Sequence, residues 1–225
     1  VLFRSMRVRG QRLGVKVGPA RCKMSAAPHS SVMPWAIFLM LGAVLFRCLR
    51  PWVGGPENFA PLAALALCGG LYFPRPWNWA GPILALLISD AVLNLHLGVG
   101  IWTTSTAAAG GAYLLIAAAG AWIARRPSWT GWLAGSLAAS VVFYLVTNTE
   151  AWWFLPGYEK NWVGWVRALT TGLPGYPPTW TFLGHSLISD LVFTLMLVAG
   201  VEWSSRRVAH RSAALRSILP LRPVR

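Results

Sequence analysis

From Met33 onward the chain alternates between long apolar runs and short breaks rich in Pro, Gly and charge; the runs cover 33–49, 59–73, 80–101, 105–124, 131–151 and 180–202. Several reach about 20 residues, the length an α-helix needs to cross a hydrocarbon core. The second is short, and the first is interrupted by Arg47. The pattern predicts an all-α integral membrane protein of about six transmembrane helices, with five as the alternative count. The transmembrane domain spans 33–203, between a basic N-terminal tail (1–32) and a basic C-terminal tail (204–225).

Composition agrees: 56% of the 225 residues are hydrophobic and only 12% charged, far from the usage of soluble domains. The net charge of +14 invites a nucleic-acid reading until it is located. Seven bases lie in residues 1–32 and six in 204–225, leaving seven bases against six acids between them. Two basic tails around a neutral apolar body suit cytoplasmic flanks beside an anionic leaflet, not a nucleic-acid groove. Cys22, Cys48 and Cys68 form neither a CxxC pair nor an even framework, which argues against a zinc site or a disulfide scaffold. The chain begins with Val1, and residues before Met24 are basic and patternless; Met24 is the expected start, with Met33 next.

Lys and Arg favour the cytoplasmic side of a membrane. With the N-terminus inside, 16 bases fall on the inner side and four on the outer (Arg47, Arg50, Lys160 and Arg167). The tails carry most of that difference, and both point to the cytoplasm of a bacterial inner membrane. The 14 Trp residues all fall near predicted helix ends, as interfacial anchors should.

Two carboxylates interrupt the apolar runs. Trp79 and Trp102 bracket Asp90, and Trp180 and Trp203 bracket Asp190, which places both near the midplane at matched depth. A carboxylate there costs about 2.5–3.5 kcal/mol and should face protein or a water-filled cavity. Leu87-Ile88-Ser89-Asp90 recurs as Leu187-Ile188-Ser189-Asp190, followed by Val92 and Leu95 against Val192 and Leu195. With three helices per half the two copies run in opposite directions, the outline of a 3+3 inverted repeat. Helical spacing puts Ser186, Asp190 and Thr194 on one stripe and Asp90 beside Asn94. The carboxylates either couple an ion or cross-link the helices. His96 and His185 fall on other faces than their Asp neighbours, so packed histidines are expected and no metal site is assigned.

The longest connection, before the last span, is rich in aromatics. It opens with Asn148, Glu150, Trp152 and Trp153, continues through Tyr158, Trp162 and Trp165, and ends at Gly172, Gly175 and Tyr176. Trp162, Trp165 and Val166 suggest an interfacial amphipathic helix or lid. Aromatics interleaved with a few polar groups also describe a small-molecule pocket, which Glu57 and Asn58 of the first outer loop could close.

At these residues the sequence resembles an uncharacterised family of bacterial membrane proteins described as transport proteins, related to the substrate-binding S components of energy-coupling-factor transporters. The resemblance rests on Asn58-Phe59 with Pro61, the run Ala64 to Phe73 with Gly69-Gly70, Pro82, Ser89-Asp90, Asn148, Trp152, Gly172-Leu173, Tyr176, Phe182 and Asp190. It implies a six-helix bundle that binds a small, vitamin-like solute from outside and depends on a separate membrane subunit with ATPases. No GxxxxGK[ST] is present, so the chain is not itself the ATPase. The expectation is a transport protein without cofactor, with Asn58, Asn148, Glu150, Trp152 and Tyr176 binding substrate and Asp90, Asp190, Asn94 and Ser186 coupling or holding the bundle. The alternatives are an ion-coupled carrier using the intramembrane Asp residues, and a non-catalytic membrane scaffold. An enzyme is not expected: neither the GxGD of intramembrane aspartyl proteases nor a rhomboid GxSG occurs.

Overall fold

The computed structural model describes residues 29–54 and 61–218. Asn58 and Glu57 lie outside the described residues, as do Met24 and both chain ends. Among the described residues all regular structure is helical: α1 (His29–Val53), α2 (Leu62–Tyr72), α3 (Trp77–His96), α4 (Thr104–Ile123), α5 (Trp129–Phe154), α6 (Trp162–Leu169) and α7 (Thr179–Ile218).

The helix ends follow from local chemistry. Thr103 and Ser128 accept the backbone N–H of Thr106 and Gly131 and so begin α4 and α5. Lys160 Nζ donates to the carbonyls of Trp152 and Leu155 and closes α5. At the end of α3, Gly98 takes a positive φ of 69°, with Gly98 N–H bonded to Leu95 O and Val99 N–H to Asn94 O. That pair of bonds is the Schellman motif, and its left-handed residue is one that only glycine adopts without strain. The helix therefore stops at His96, well short of Trp102.

The helices form a ring around a centre. α1, α3, α4, α5 and α7 each contact the next, α7 closes on α1, and α2 touches all five. Every residue of α2 from Leu62 to Gly70 is buried. A Cβ on Gly70 would lie 2.0 Å from the Ala117 carbonyl oxygen, and one on Gly120 would lie 2.2 Å from that of Leu67. The backbones of α2 and α4 thus touch, the close approach that small residues allow between apolar helices.

The outer faces of the ring are apolar: Leu41 and Leu45 on α1, Ile88 on α3, Leu115 on α4, Leu137 on α5 and Met196 on α7 are all exposed. Exposed apolar surface on this scale needs a partner or a lipid solvent. Four helices are long and apolar enough to cross a membrane: α3, α4, α5 and Thr179–Arg207 of α7. Of the other two expected spans, α1 contributes a described apolar stretch of Met40–Leu49. The 11 residues of α2 rise only about 16 Å, half of a hydrocarbon core.

Relative directions follow from side-chain contacts. Arg47, near the end of α1, pairs with Asp90 toward the end of α3, and the Trp52 ring lies tilted against His96 with ring centroids 4.7 Å apart. α1 and α3 therefore run parallel, and the chain between them must return. The end that gathers Val53, His96, Thr104, Phe154 and Thr179 is called upper below. Ten tryptophans are exposed among the described residues, as anchors should be. Trp132 is not one of them: at 2% exposure it belongs to the core, packed with Cys68 and Val198.

Candidate functional site

The two carboxylates stand at different distances from the ends of their own helices. Asp90 stands six residues below the upper end of α3, about 9 Å along the axis, and Asp190 eleven residues into α7, about 16 Å. The matched depth inferred from the tryptophans depended on counting 97–102 as helix, which Gly98 prevents.

Asp90 is fixed by a cation. Arg47 donates to its Oδ1 and, at 2.6 Å, to Ser89 Oγ, while Thr106 Oγ1 donates to Asp90 Oδ2 at 2.6 Å. Ser89 Oγ also donates to the carbonyls of Ala85 and Leu86. Three helices, α1, α3 and α4, are thus joined by one neutralised cluster, and Arg47 is an interior residue of α1, not an outer-loop base. The signal for this pairing was present in the sequence: an Arg inside an apolar run requires a counter-charge.

Among the described residues no cation pairs with Asp190. Ser140 Oγ donates to its Oδ2 at 2.7 Å, and the backbone N–H of Ala64 is bonded to the carboxylate. Ala64 is the third residue of α2, so its N–H has no partner within the helix. The carboxylate therefore sits on the positive end of the central helix, an arrangement that favours an anion.

Below Asp190 runs a polar seam between α2, α5 and α7. α5 and α7 are antiparallel, so one turn below the Ser140–Asp190 bond come Ser136 and Thr194, and two turns below come Trp132 and Val198. Trp132 and Val198 do pack together, with Cys68 and with Tyr72 of α2 against them. Ser136 Oγ, Thr194 Oγ1, Trp132 Nε1 and the Tyr72 hydroxyl are buried without a hydrogen-bond partner. These are four of the five such atoms among the described residues, and one seam contains them all. Glu202, three turns below Asp190, lies within electrostatic range of Tyr72. Folded proteins leave few buried polar groups unpaired, and a polar seam of this kind suits bound water or a small cation. Ser136 and Ser140 were not singled out from sequence, although their spacing from Trp132 marks one face of α5.

Of the expected substrate-binding residues, Asn148, Glu150, Trp152 and Tyr176 share the upper end, the first three with local partners. Asn148 Nδ2 donates to the Tyr144 carbonyl, Glu150 accepts from Ser105 Oγ at 3.2 Å, and Trp152 Nε1 donates to the Glu159 carbonyl at 2.8 Å. Tyr176 is exposed. Between them α6 lies on α5: Asn161 caps it, Trp165 Nε1 donates to Thr149 Oγ1, and the Tyr144 hydroxyl donates to the Leu169 carbonyl. Its Gly164 and Ala168 are buried while Trp162 and Val163 are exposed, so it is amphipathic. Asn94 does not turn to Asp90; its Nδ2 donates to the Ile101 carbonyl and ties down the turn after α3. Ser186 is buried on the Asp190 stripe as expected. Among the described residues no group of three His, Cys, Asp or Glu side chains could hold a metal ion.

Fold and surface together define an all-helical protein with the apolar exterior of a membrane protein. The chain belongs to the family of unknown function DUF6580, whose sequence profile matches residues 29–214. No curated protein and no solved structure matches it.

Proposed function

We propose that the protein is a membrane transport protein for a small solute, with Asp190 as its ion-coupling carboxylate. The observation that carries this reading is the buried half-length helix α2, whose N-terminus meets an unneutralised carboxylate at the head of a polar seam. Broken or short helices that end at an ion or substrate site inside the bundle are how transporters bind charge away from water.

In this reading the chain crosses a bacterial inner membrane six times, through α1, α2, α3, α4, α5 and α7. Both termini are cytoplasmic and the upper end faces outward. The parallel course of α1 and α3 supports counting α2 as a crossing. α3 and α7, which carry the repeated motif, run in opposite directions and both flank α1 and α2, as an inverted repeat requires. The folded platform around α6 supports outward capture of the solute, whether the chain works alone or as the binding subunit of an assembly with separate ATPases. Uptake that survives ATP depletion but collapses with the ion gradient selects the first arrangement.

The test is a thermal-shift screen of the detergent-purified chain against vitamins, nucleobases and monovalent and divalent cations. A ligand at 100 times its Kd stabilises the folded state by about 2.7 kcal/mol. The expected hit weakens at least tenfold in Asp190→Asn and persists in Glu159→Gln. A chain that binds nothing, or binds equally well with Asp190→Asn, overturns the reading and leaves a scaffold.

A further inference from the structure

A cavity of about 380 Å³ opens at the lower end between the start of α3 and the end of α4, and Asp190 does not line it. Arg75 and Arg125 stand at its mouth, both exposed, and no lining residue is acidic. The exposed indoles of Trp79 and Trp122 flank them. Deeper in, the wall is apolar, with Leu114 exposed along the side of α4. Asn78 also lines the cavity, and its Oδ1 is buried with no partner.

From these observations we infer that the cavity binds the phosphodiester of an anionic phospholipid. Each element has a chemical counterpart. Two guanidiniums provide planar donor forks for a phosphate oxygen pair. The first turn of α3 adds the positive end of a 20-residue helix on the same side. Indoles sit where acyl chain meets headgroup, and the Leu114 wall accepts the start of a chain. A choline headgroup would bring its own cation beside the two guanidiniums, so a headgroup without a positive charge is favoured. Basic pockets between helices on the cytoplasmic side are where such headgroups bind, so the same cavity supports the inside assignment of this end.

Free inorganic phosphate shares the charge chemistry, and the experiment separates the two. The full chain in neutral detergent is titrated with dioleoyl phosphatidylglycerol, dioleoyl phosphatidylcholine or inorganic phosphate, and the unfolding midpoint is followed. Phosphatidylglycerol is expected to raise the midpoint saturably, with no comparable rise from the other two. Arg75→Gln with Arg125→Gln should weaken that binding at least tenfold, whereas Arg206→Gln with Arg207→Gln, in the exposed basic segment of α7, should change it less than twofold. Ala118→Phe, which fills the cavity and leaves both charges, should also weaken it. An equal response to inorganic phosphate would make this a free-anion site and overturn the lipid assignment. Retained phosphatidylglycerol binding in the Arg75 and Arg125 variant, or in Ala118→Phe, would overturn it too.

Discussion

Asp90 and Asp190 close the same tetrapeptide, and the two copies are buried alike: Ser89 and Ser189 are fully enclosed, both carboxylates nearly so, and Ile88 and Ile188 are exposed at 54% and 59%. Their surroundings differ. Asp90 has a guanidinium and a threonine hydroxyl; Asp190 has a serine hydroxyl and a helix N-terminus. The ion pair joins α1 to α3 through Asp90. A carboxylate that meets only neutral donors is the one proposed above as the coupling group. The same four residues thus yield a clamp in one helix and a candidate coupling site in the other, and the neighbours decide which.

The largest expected effect tests the clamp. Arg47→Leu leaves the Asp90 carboxylate enclosed without its cation and should cost about 3 kcal/mol in reversible detergent unfolding. Adding Asp90→Leu should restore most of it, and the double-mutant cycle measures the coupling directly. A single-variant loss below 0.5 kcal/mol, as for an exposed pair, would show that the pair does not hold the helices.

Next comes the support for Asp190. Gly120→Val places a side chain against the Leu67 carbonyl and must separate α2 from α4; about 2 kcal/mol of destabilisation is expected from overpacking of this kind. Unchanged stability would mean that the two backbones do not touch.

A smaller loss is expected for Ser140→Ala, about 1.5 kcal/mol, the usual worth of a hydrogen bond to a charged group. Asp190→Asn keeps one acceptor oxygen for Ser140, and its stability should stay within about 1 kcal/mol of the native chain while ligand binding falls. If Asp190→Asn instead unfolds like Arg47→Leu, the contrast between the two carboxylates fails. The least effect belongs to Asn94→Ala, which removes one bond in an exposed turn; about 0.5 kcal/mol is expected, read as faster amide exchange at residues 97–101.

Much of this was legible in the chain itself. Apolar runs longer than any core strand forced helices, and their ends lie within a few residues of Thr103, Ser128 and Pro76, where caps and turns belong. An amphipathic segment at Trp162 and Trp165 was readable from the spacing of its apolar side chains. The placement of Trp132 was not, because an indole near a helix end looks the same in sequence whether it anchors in lipid or packs inward. Neither was the true end of α3: residues 97–101 are apolar enough to extend the run, and only the conformation of Gly98 stops it.

The sequence by itself determined helical class, apolar exterior, the repeated Leu-Ile-Ser-Asp and the need for both carboxylates to be enclosed, since each follows from composition or from contacts a few residues apart. Tertiary structure alone decided which carboxylate received Arg47, which received the end of α2, and that four unpartnered polar atoms share one seam. The contacts to the two carboxylates join residues 43 positions apart for Arg47 and 50 for Ser140. A helix dictates which of its faces is polar through its own periodicity, but the group that meets that face is chosen by packing.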